Sequence, residues 1–151
     1  GGIDDVLITY NIIGEQKLRA LRNLCEKVKV SVVADSSFCI KGLSKTFEGA
    51  KEALPVLVEC DTGANRCGVI SPQEACELAE LINRSPGLIF GGLMTYPPTS
   101  QAQKINSFLT DAKKLIEAKN IAVISLNFII HFIDIQYINI ELPNTHRIPK
   151  Q

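Results

Sequence analysis

The ten residues CDTGANRCGV at positions 60–69 are those best suited to chemistry, and they follow the apolar run LPVLVE. Gly63 can adopt positive φ, so the chain can turn sharply after Asp61. The turn then points Arg66 toward the end of the preceding strand, where a guanidinium can hold a carboxylate, a phosphate or an aromatic oxygen in fixed geometry. The same spacing also allows an ordinary surface ion pair between Arg66 and Glu59 or Asp61, which would contribute little.

Short apolar strands alternate with amphipathic helices along the chain. The third helix has the clearest start, because Ser71 can cap it, Pro72 suits its first turn and Glu74 completes a capping box. Strict alternation of strands and helices builds a parallel sheet with right-handed crossovers. Strands are predicted at 5–10, 29–35, 55–60, 88–96 and 121–126, and helices at 15–28, 39–54, 71–84 and 100–120.

The length of the repeat favours one of two parallel-sheet folds. Strands recur every ~25–32 residues, which is close to the spacing of a (β/α)8 barrel. The alternative is an open doubly wound sheet, but its glycine-rich phosphate motif is missing after the first strand, where NIIGE has a single glycine. We therefore predict an α/β fold, a partial (β/α)8 barrel with about five of the eight βα units.

In either fold, chemistry is expected where the strands end, at the carboxyl edge of the sheet. The residues at these ends are mostly polar, and several of them could bind a ligand. They are Tyr10-Asn11, Asp35-Ser36, residues 59–66, Thr95-Tyr96 and Ser125.

The composition changes after Ser125. The stretch 126–151 contains no glycine and no alanine, and six isoleucines fall between positions 129 and 140. We predict a barrel-type domain at 1–125 and a divergent tail at 126–151, in which FIIHFIDIQYINI alternates as an exposed strand would. A shift of reading frame near residue 125 would account for the change.

Charge and cysteine content exclude several classes of protein. Lys+Arg and Asp+Glu are both 16, so no basic patch indicates a nucleic acid or a membrane surface as partner. Five cysteines, an odd number without dense spacing or a leader sequence, indicate reduced thiols in a cytoplasmic protein. No metal site is predicted, because no three or four ligands converge. The apolar stretch 121–140 contains polar side chains too costly for a membrane span, namely Asn127, His131, Asp134, Gln136 and Asn139.

The segment VLVECDTGANRCGV at 56–69 resembles the strand-5 signature of the fold-type III pyridoxal-phosphate enzymes, the group of alanine racemase, D-threonine aldolase and D-serine dehydratase. The segments 5–14, 29–36 and 91–97 are similar to strands 3, 4 and 6 of the aldolase and dehydratase branch. The resemblance runs in order from residue 1 to about residue 125. It implies pyridoxal phosphate as cofactor and a small amino acid as substrate.

The resemblance also implies roles for three residues. Arg66 matches the arginine beside the oxygen of the cofactor ring, Tyr96 matches a position at the end of strand 6 close to the cofactor, and Ser125 matches the start of the phosphate loop. Asn65 replaces a glycine of the signature, and Pro97-Pro98 replace a His-Gly pair. Residues 126–128 replace phosphate-loop glycines with larger side chains, which would obstruct close approach of the backbone to a phosphate.

The catalytic residues stay unassigned, because the family's Schiff-base lysine lies on strand 1 and no lysine here stands in the matching context. The family's strand 8, C-terminal domain and metal ligands have no counterpart either. The chain also lacks an initiator methionine. We therefore expect a fragment or processed product of a pyridoxal-phosphate-dependent lyase or racemase that is inactive alone.

Two alternatives stay open at this point. The chain could be a non-catalytic remnant, or a split-barrel subunit that is completed by a partner chain or self-associates through its open edges. It could also be an open α/β module that binds a small anion near Arg66, although this would not explain the order of the other matches.

Overall fold

Five parallel strands and four helices alternate along the described part of the chain. The structure, a computed structural model, describes residues 2–96 and 102–121, and the backbone of 129–130. The elements in chain order are β1 (Asp5–Ile8), α1 (Glu15–Cys25), β2 (Lys29–Ala34), α2 (Ser37–Phe47), β3 (Leu54–Cys60), α3 (Pro72–Asn83), β4 (Leu88–Thr95), α4 (Ala102–Ala118) and β5 (Ile129–Ile130).

The strand order distinguishes the two folds that the sequence allowed. Strands lie in the sheet in the order β1-β2-β3-β4-β5, and each neighbouring pair is parallel. A doubly wound sheet reverses its strand order at a switch point, whereas a barrel adds each new strand on the same side. The predicted α/β fold with a partial (β/α)8 barrel is therefore confirmed.

The fifth strand differs in position from the one predicted. Ile121 follows α4 outside any strand, and residues 122–128 lie outside the described part of the chain. The strand that pairs with β4 is Ile129–Ile130, in register with Met94 and Thr95. This strand falls in the segment predicted as a divergent tail. The predicted division of the chain at residue 125 stays a prediction.

The ends of α2 and α3 follow from local chemistry. The predicted second helix is too long, because α2 ends at Phe47 and Gly49 adopts φ 69°, a left-handed conformation that stops a helix. The start of α3 is as predicted. Ser71 accepts a hydrogen bond from the backbone N–H of Glu74, and the Glu74 carboxylate accepts one from Ser71 in return.

The strands bury apolar side chains on both faces of the sheet. Side chains alternate between the faces along a strand, and the face toward the helices holds the larger core. Its largest fully buried apolar side chains on the strands are those of Val32, Val56, Val58, Phe90 and Leu93. The opposite face, called the inner face below, holds the smaller cluster Val33, Leu57 and Met94, with Leu7 beside it. Among the described helices, none has the length and apolar character needed to cross a bilayer.

Candidate functional site

The loop after β3 is folded around the carboxylate of Asp61. One oxygen, Oδ1, accepts the backbone N–H groups of Gly63 at 2.8 Å and Asn65 at 3.1 Å, and Oδ2 accepts that of Arg66 at 2.8 Å. Burial alone would raise the pKa of Asp61, but these backbone donors outweigh it and hold that pKa below its ordinary value. The carboxylate therefore stays charged and fixes the turn that presents Arg66.

Arg66 lies over the aromatic ring of Tyr96. Its guanidinium carbon is 5.1 Å from the ring centroid, within the range of a cation–π interaction. The structure thus brings together two of the three residues predicted from the resemblance. Among the described side chains no salt bridge joins Arg66 to Glu59 or Asp61, so the alternative of a surface ion pair is not formed.

A buried pair of hydroxyls connects this loop to β4. The Oγ1 atoms of Thr62 and Thr95 are 2.8 Å apart, and each residue is 1% exposed. Thr95 is the last residue of β4 and directly precedes Tyr96. The hydrogen bond therefore fixes the start of the loop after β3, residues 61–69, relative to Tyr96, which carries the aromatic ring. This loop is called the arginine loop below.

The inner face becomes acidic at its carboxyl end. Glu59 is 5% exposed, and its Oε1 accepts a hydrogen bond from the Cys67 thiol with a sulfur–oxygen distance of 3.0 Å. Burial, reinforced by the charge of Asp35, raises the pKa of Glu59. The hydrogen bond to Glu59, together with burial, raises the pKa of the Cys67 thiol to about 11. At neutral pH the thiol is therefore protonated and available as a donor.

Gly68 closes the loop against its own beginning. It adopts φ 108°, and a Cβ atom there would lie 2.6 Å from the backbone nitrogen of Asp61. The following residue, Val69, forms backbone hydrogen bonds of 2.9 Å with both Asp61 and Glu59. A side chain at position 68 would push these two segments apart, so the loop requires glycine.

The sequence did not reveal the roles of Glu59 and Cys67. The sequence indicated Glu59 only as a possible surface partner of Arg66, and Cys67 only as one of five reduced thiols. A signal was present, because one carboxylate interrupts the apolar strand LPVLVEC, and a buried carboxylate needs a hydrogen-bond donor.

The other expected features fall outside this loop. Ser125, the third predicted site residue, lies outside the described residues, as do Pro97 and Pro98. The described lysines lie on helices or on segments that enter strands; in the described part of the loops that leave the strands there is no lysine. Within the ranges 2–96 and 102–121, no three His, Cys, Asp or Glu side chains are grouped to hold a metal ion.

The arrangement places the guanidinium of Arg66 next to the acidic end of the inner face, where Glu59 lies. Arg66 offers a guanidinium with planar N–H donors, and Tyr96 offers an aromatic face, with 45% of its surface exposed. A planar ligand with an anionic oxygen would match both groups. The neighbouring carboxylates disfavour a dianion at the same place, because like charges repel.

Comparison with known proteins identifies relatives along most of the chain. The family model of the alanine racemase N-terminal domain matches residues 6–127. D-threonine aldolase of Arthrobacter sp is 35% identical over 95 residues, which cover 63% of this chain and 25% of that protein. A 3-hydroxy-D-aspartate aldolase of Paracoccus denitrificans is 34% identical over 97 residues, with 64% and 25% covered.

Solved structures agree with these relatives. The crystal structure of D-threonine aldolase from Filomicrobium marinum superimposes with a TM-score of 0.76 at 27% identity, covering 82% of this chain and 36% of that one. An alanine racemase from Clostridium difficile 630 gives a TM-score of 0.66 at 16% identity, a likeness of fold. The chain spans 25% to 36% of the length of the aldolases named here.

Proposed function

The chain belongs to the alanine racemase N-terminal domain family, and we propose that it forms one wall of a pyridoxal-phosphate site in an aldolase of small D-amino acids. D-threonine and 3-hydroxy-D-aspartate, the substrates in the names of its relatives, are both D-amino acids with a hydroxyl on Cβ. We propose that the complete protein, in which this chain would form part of the site, acts on the same class of substrate.

The observation that carries this proposal is the contact between Arg66 and Tyr96. A guanidinium held over an aromatic ring at the carboxyl edge of a partial barrel can donate hydrogen bonds to the ring oxygen of a planar cofactor. Pyridoxal phosphate, when bound, supplies the electron sink for cleavage at the α-carbon of an amino acid. Arg66 would bind and orient the ring of the cofactor, and Tyr96 would restrict its position from the side of β4.

The described residues fit the ring of this cofactor better than its other parts. No lysine lies in the described part of the loops that leave the strands, so these loops contain no group for covalent attachment. Three carboxylates, those of Asp35, Glu59 and Asp61, surround the loop and disfavour a phosphate dianion there. We therefore propose that the covalent attachment and the phosphate site come from other parts of the protein, and that this chain alone has no turnover.

Titration of the purified chain with pyridoxal phosphate tests the proposal. We expect reversible binding, followed by absorbance, that Arg66→Ala weakens by about tenfold or more, since a hydrogen bond to a charged group contributes about 1.5–3 kcal/mol. Arg84→Ala is the matched control, because Arg84 is an exposed arginine at the end of α3. Absence of binding, or equal affinity of the parent and Arg66→Ala, would contradict the assignment of Arg66.

Borohydride reduction of the same samples tests the absence of turnover separately. We expect no stoichiometric labelling of any one lysine after peptide mapping. A single lysine trapped in equal proportion to the chain would show that this chain carries its own covalent attachment, and the proposal that it is inactive alone would be wrong.

A barrel completed by another polypeptide is the second candidate, favoured by the edge of the sheet. Within the described residues, β1 pairs with β2 on one side and with no strand on the other. An unpaired parallel strand can accept a further strand. Sedimentation of the chain over a hundredfold range of concentration tests self-association. A dimer would support completion by a second copy of this chain, and a monomer throughout would contradict self-association.

A further inference from the structure

Three consecutive residues of the arginine loop each donate a hydrogen bond to a different carboxylate. The donors are the backbone N–H of Arg66, the thiol of Cys67 and the backbone N–H of Gly68. Their acceptors, in the same order, are Asp61 at 2.8 Å, Glu59 at 3.0 Å and Asp35 at 3.4 Å. We call Asp35, Glu59 and Asp61 the carboxylate row.

The carboxylate row spans two strands and the loop itself. Asp35 follows the last residue of β2, and Glu59 is the next-to-last residue of β3. Ala34 pairs with Val58 in the register of these strands, so Asp35 and Glu59 stand side by side at the carboxyl edge. The sheet therefore fixes two of the acceptors before the loop is formed.

One of the three bonds depends on the identity of a side chain. The donors at positions 66 and 68 are backbone N–H groups, which any residue except proline supplies. The donor at position 67 is a thiol, and most other side chains of similar size could not make this bond. Of the three donors, only the one at position 67 therefore depends on the type of side chain. A substitution of Cys67 should change how the residue after Arg66 is held.

We propose that Cys67 and Glu59 are positioning residues: the hydrogen bond from the thiol to the buried carboxylate fixes the loop next to Arg66 and so holds the guanidinium over Tyr96. The importance of this contact for cofactor binding rests on the function proposed above. The position of the guanidinium itself can be tested without any cofactor.

The state of the thiol is consistent with this role. Its bond to Glu59 contributes most to the raised pKa of about 11, burial and the charges of Glu59 and Asp35 add to the rise, and the charge of Arg66 opposes it. The thiol therefore remains a donor throughout the neutral range and is a poor nucleophile. Near an aldehyde cofactor a protonated thiol would also be protected from adding to the carbonyl carbon.

Side-chain nuclear magnetic resonance of the full chain measures the proposed effect. An arginine over an aromatic ring has upfield-shifted Nε–H and δ-methylene protons, and Tyr96→Leu supplies the reference without the ring. We expect Cys67→Ala to lose more than half of this shift. Cys67→Ser keeps an O–H donor and should retain most of it.

A control separates positioning from general damage. Cys25→Ala removes a half-buried thiol on α1, away from the loop, and should leave the Arg66 shift unchanged. If Cys67→Ala keeps the full shift, or if Cys67→Ser loses as much as Cys67→Ala, the proposal is wrong. Backbone amide shifts of the sheet show whether each variant is folded.

Alkylation of Cys67 tests the bond from its acceptor side. Cys67 is exposed, whereas the other four cysteines are buried or half-buried, so peptide mapping can follow it selectively. Glu59→Gln should speed its reaction with iodoacetamide at pH 8 about tenfold, because more thiolate forms while each thiolate is less nucleophilic. An unchanged rate would show that the thiol and Glu59 are not bonded in solution.

The outcomes distinguish this inference from the proposed function. Loss of the Arg66 shift in Cys67→Ala, without binding of pyridoxal phosphate by the parent, would support the positioning pair and contradict the function. Binding that depends on Arg66 but is equal in the parent and in Cys67→Ala would support the function and contradict the positioning pair.

Discussion

The two faces of the sheet are built from the same strands but serve different purposes. The face toward the helices is apolar along most of its length, with Val56, Val58 and Phe90 fully buried. The inner face is apolar in its middle, at Val33 and Leu57, and then changes to carboxylates at the carboxyl edge.

This difference explains how one sheet can be stable and still carry polar groups at its carboxyl edge. Burial of the helix-facing side chains supplies the main hydrophobic stabilisation, since it removes the larger apolar area from water. The inner face contributes fewer apolar contacts, and its polar end holds groups that cost free energy to bury. Substitutions on the two faces should therefore differ in their effect on stability and on the position of Arg66.

The largest expected effect is loss of stability from a cavity on the helix face. Phe90 is 0% exposed, and Phe90→Ala should lower the free energy of unfolding by about 3–5 kcal/mol. Leu57→Ala on the inner face should cost less, about 2 kcal/mol, because its cluster is small and has more room to rearrange. Urea unfolding followed by circular dichroism measures both. An equal loss of unfolding free energy in the two variants would contradict the proposed difference in stability between the faces.

The second largest loss of stability is expected at Gly68, a glycine of the arginine loop. Gly68→Ala places a Cβ atom 2.6 Å from the backbone nitrogen of Asp61, at a residue with φ 108°, so steric overlap and backbone strain combine. We expect the free energy of unfolding to fall by about 2–3 kcal/mol and the Arg66 shift to be lost. Gly49→Ala is the matched control. Gly49 has φ 69° with no atom within 4 Å of the new Cβ, so about 1–2 kcal/mol is expected and Arg66 should not move. A milder effect at position 68 would mean that the loop opens easily.

Glu59 should make stability depend on pH through the inner face. Its pKa is raised in the folded chain, so the native state binds a proton more tightly than the unfolded state. The contribution of Glu59 to the free energy of unfolding is therefore fully present below its ordinary pKa of 4.5. This contribution is lost as the pH rises through the pKa that Glu59 has in the folded chain. The slope for one group cannot exceed about 1.4 kcal/mol per pH unit.

Glu59→Gln isolates this contribution. The variant removes the titration and should flatten the fall in unfolding free energy above pH 4.5, measured by urea unfolding at half-unit steps. Glu77→Gln, on α3, is the control and should leave the slope as it is in the parent. A parallel fall in the parent and in Glu59→Gln would assign the pH dependence to other groups.

Most of the fold could be predicted from the sequence, because strands and helices carry their own patterns. The capping box at Ser71 and Glu74 specifies the start of α3 by local hydrogen bonds alone, so it could be recognised directly. The end of α2 was predicted too late. Gly49 is compatible with a helix at a modest cost, and its left-handed conformation is decided by the turn that follows.

The geometry of the candidate site could be predicted only in part, for a physical reason. The motif located Arg66, and the alternation of strands and helices placed Tyr96 at the same edge of the sheet. The partners of Cys67 and Gly68 could not be predicted, because Glu59 and Asp35 become neighbours through the register of β2 and β3. Buried strands are apolar on both faces, so the sequence does not show which residues face inward.

The smallest expected effect tests whether the two faces are independent where they meet. Helix α3 begins at the carboxyl edge, directly after the arginine loop, and Ser71 caps it with a hydrogen bond of 3.2 Å. Ser71→Ala should cost about 1 kcal/mol of stability, the usual price of an N-cap. Ser36→Ala at the start of α2 should cost less, since its bond to Cys39 is longer, at 3.4 Å.

The hydroxyls of Ser71 and Ser36 accept hydrogen bonds from helix backbone N–H groups and not from the arginine loop, so neither substitution should change the Arg66 shift, although Ser36 directly follows Asp35. The helix caps stabilise the outer layer, whereas Asp61, Glu59 and Thr62 hold the loop from the side of the sheet. If Ser71→Ala moved Arg66 while Ser36→Ala did not, the start of α3 would also position the guanidinium. The arginine loop would then be a single segment of chain that both stabilises the helix layer and positions Arg66.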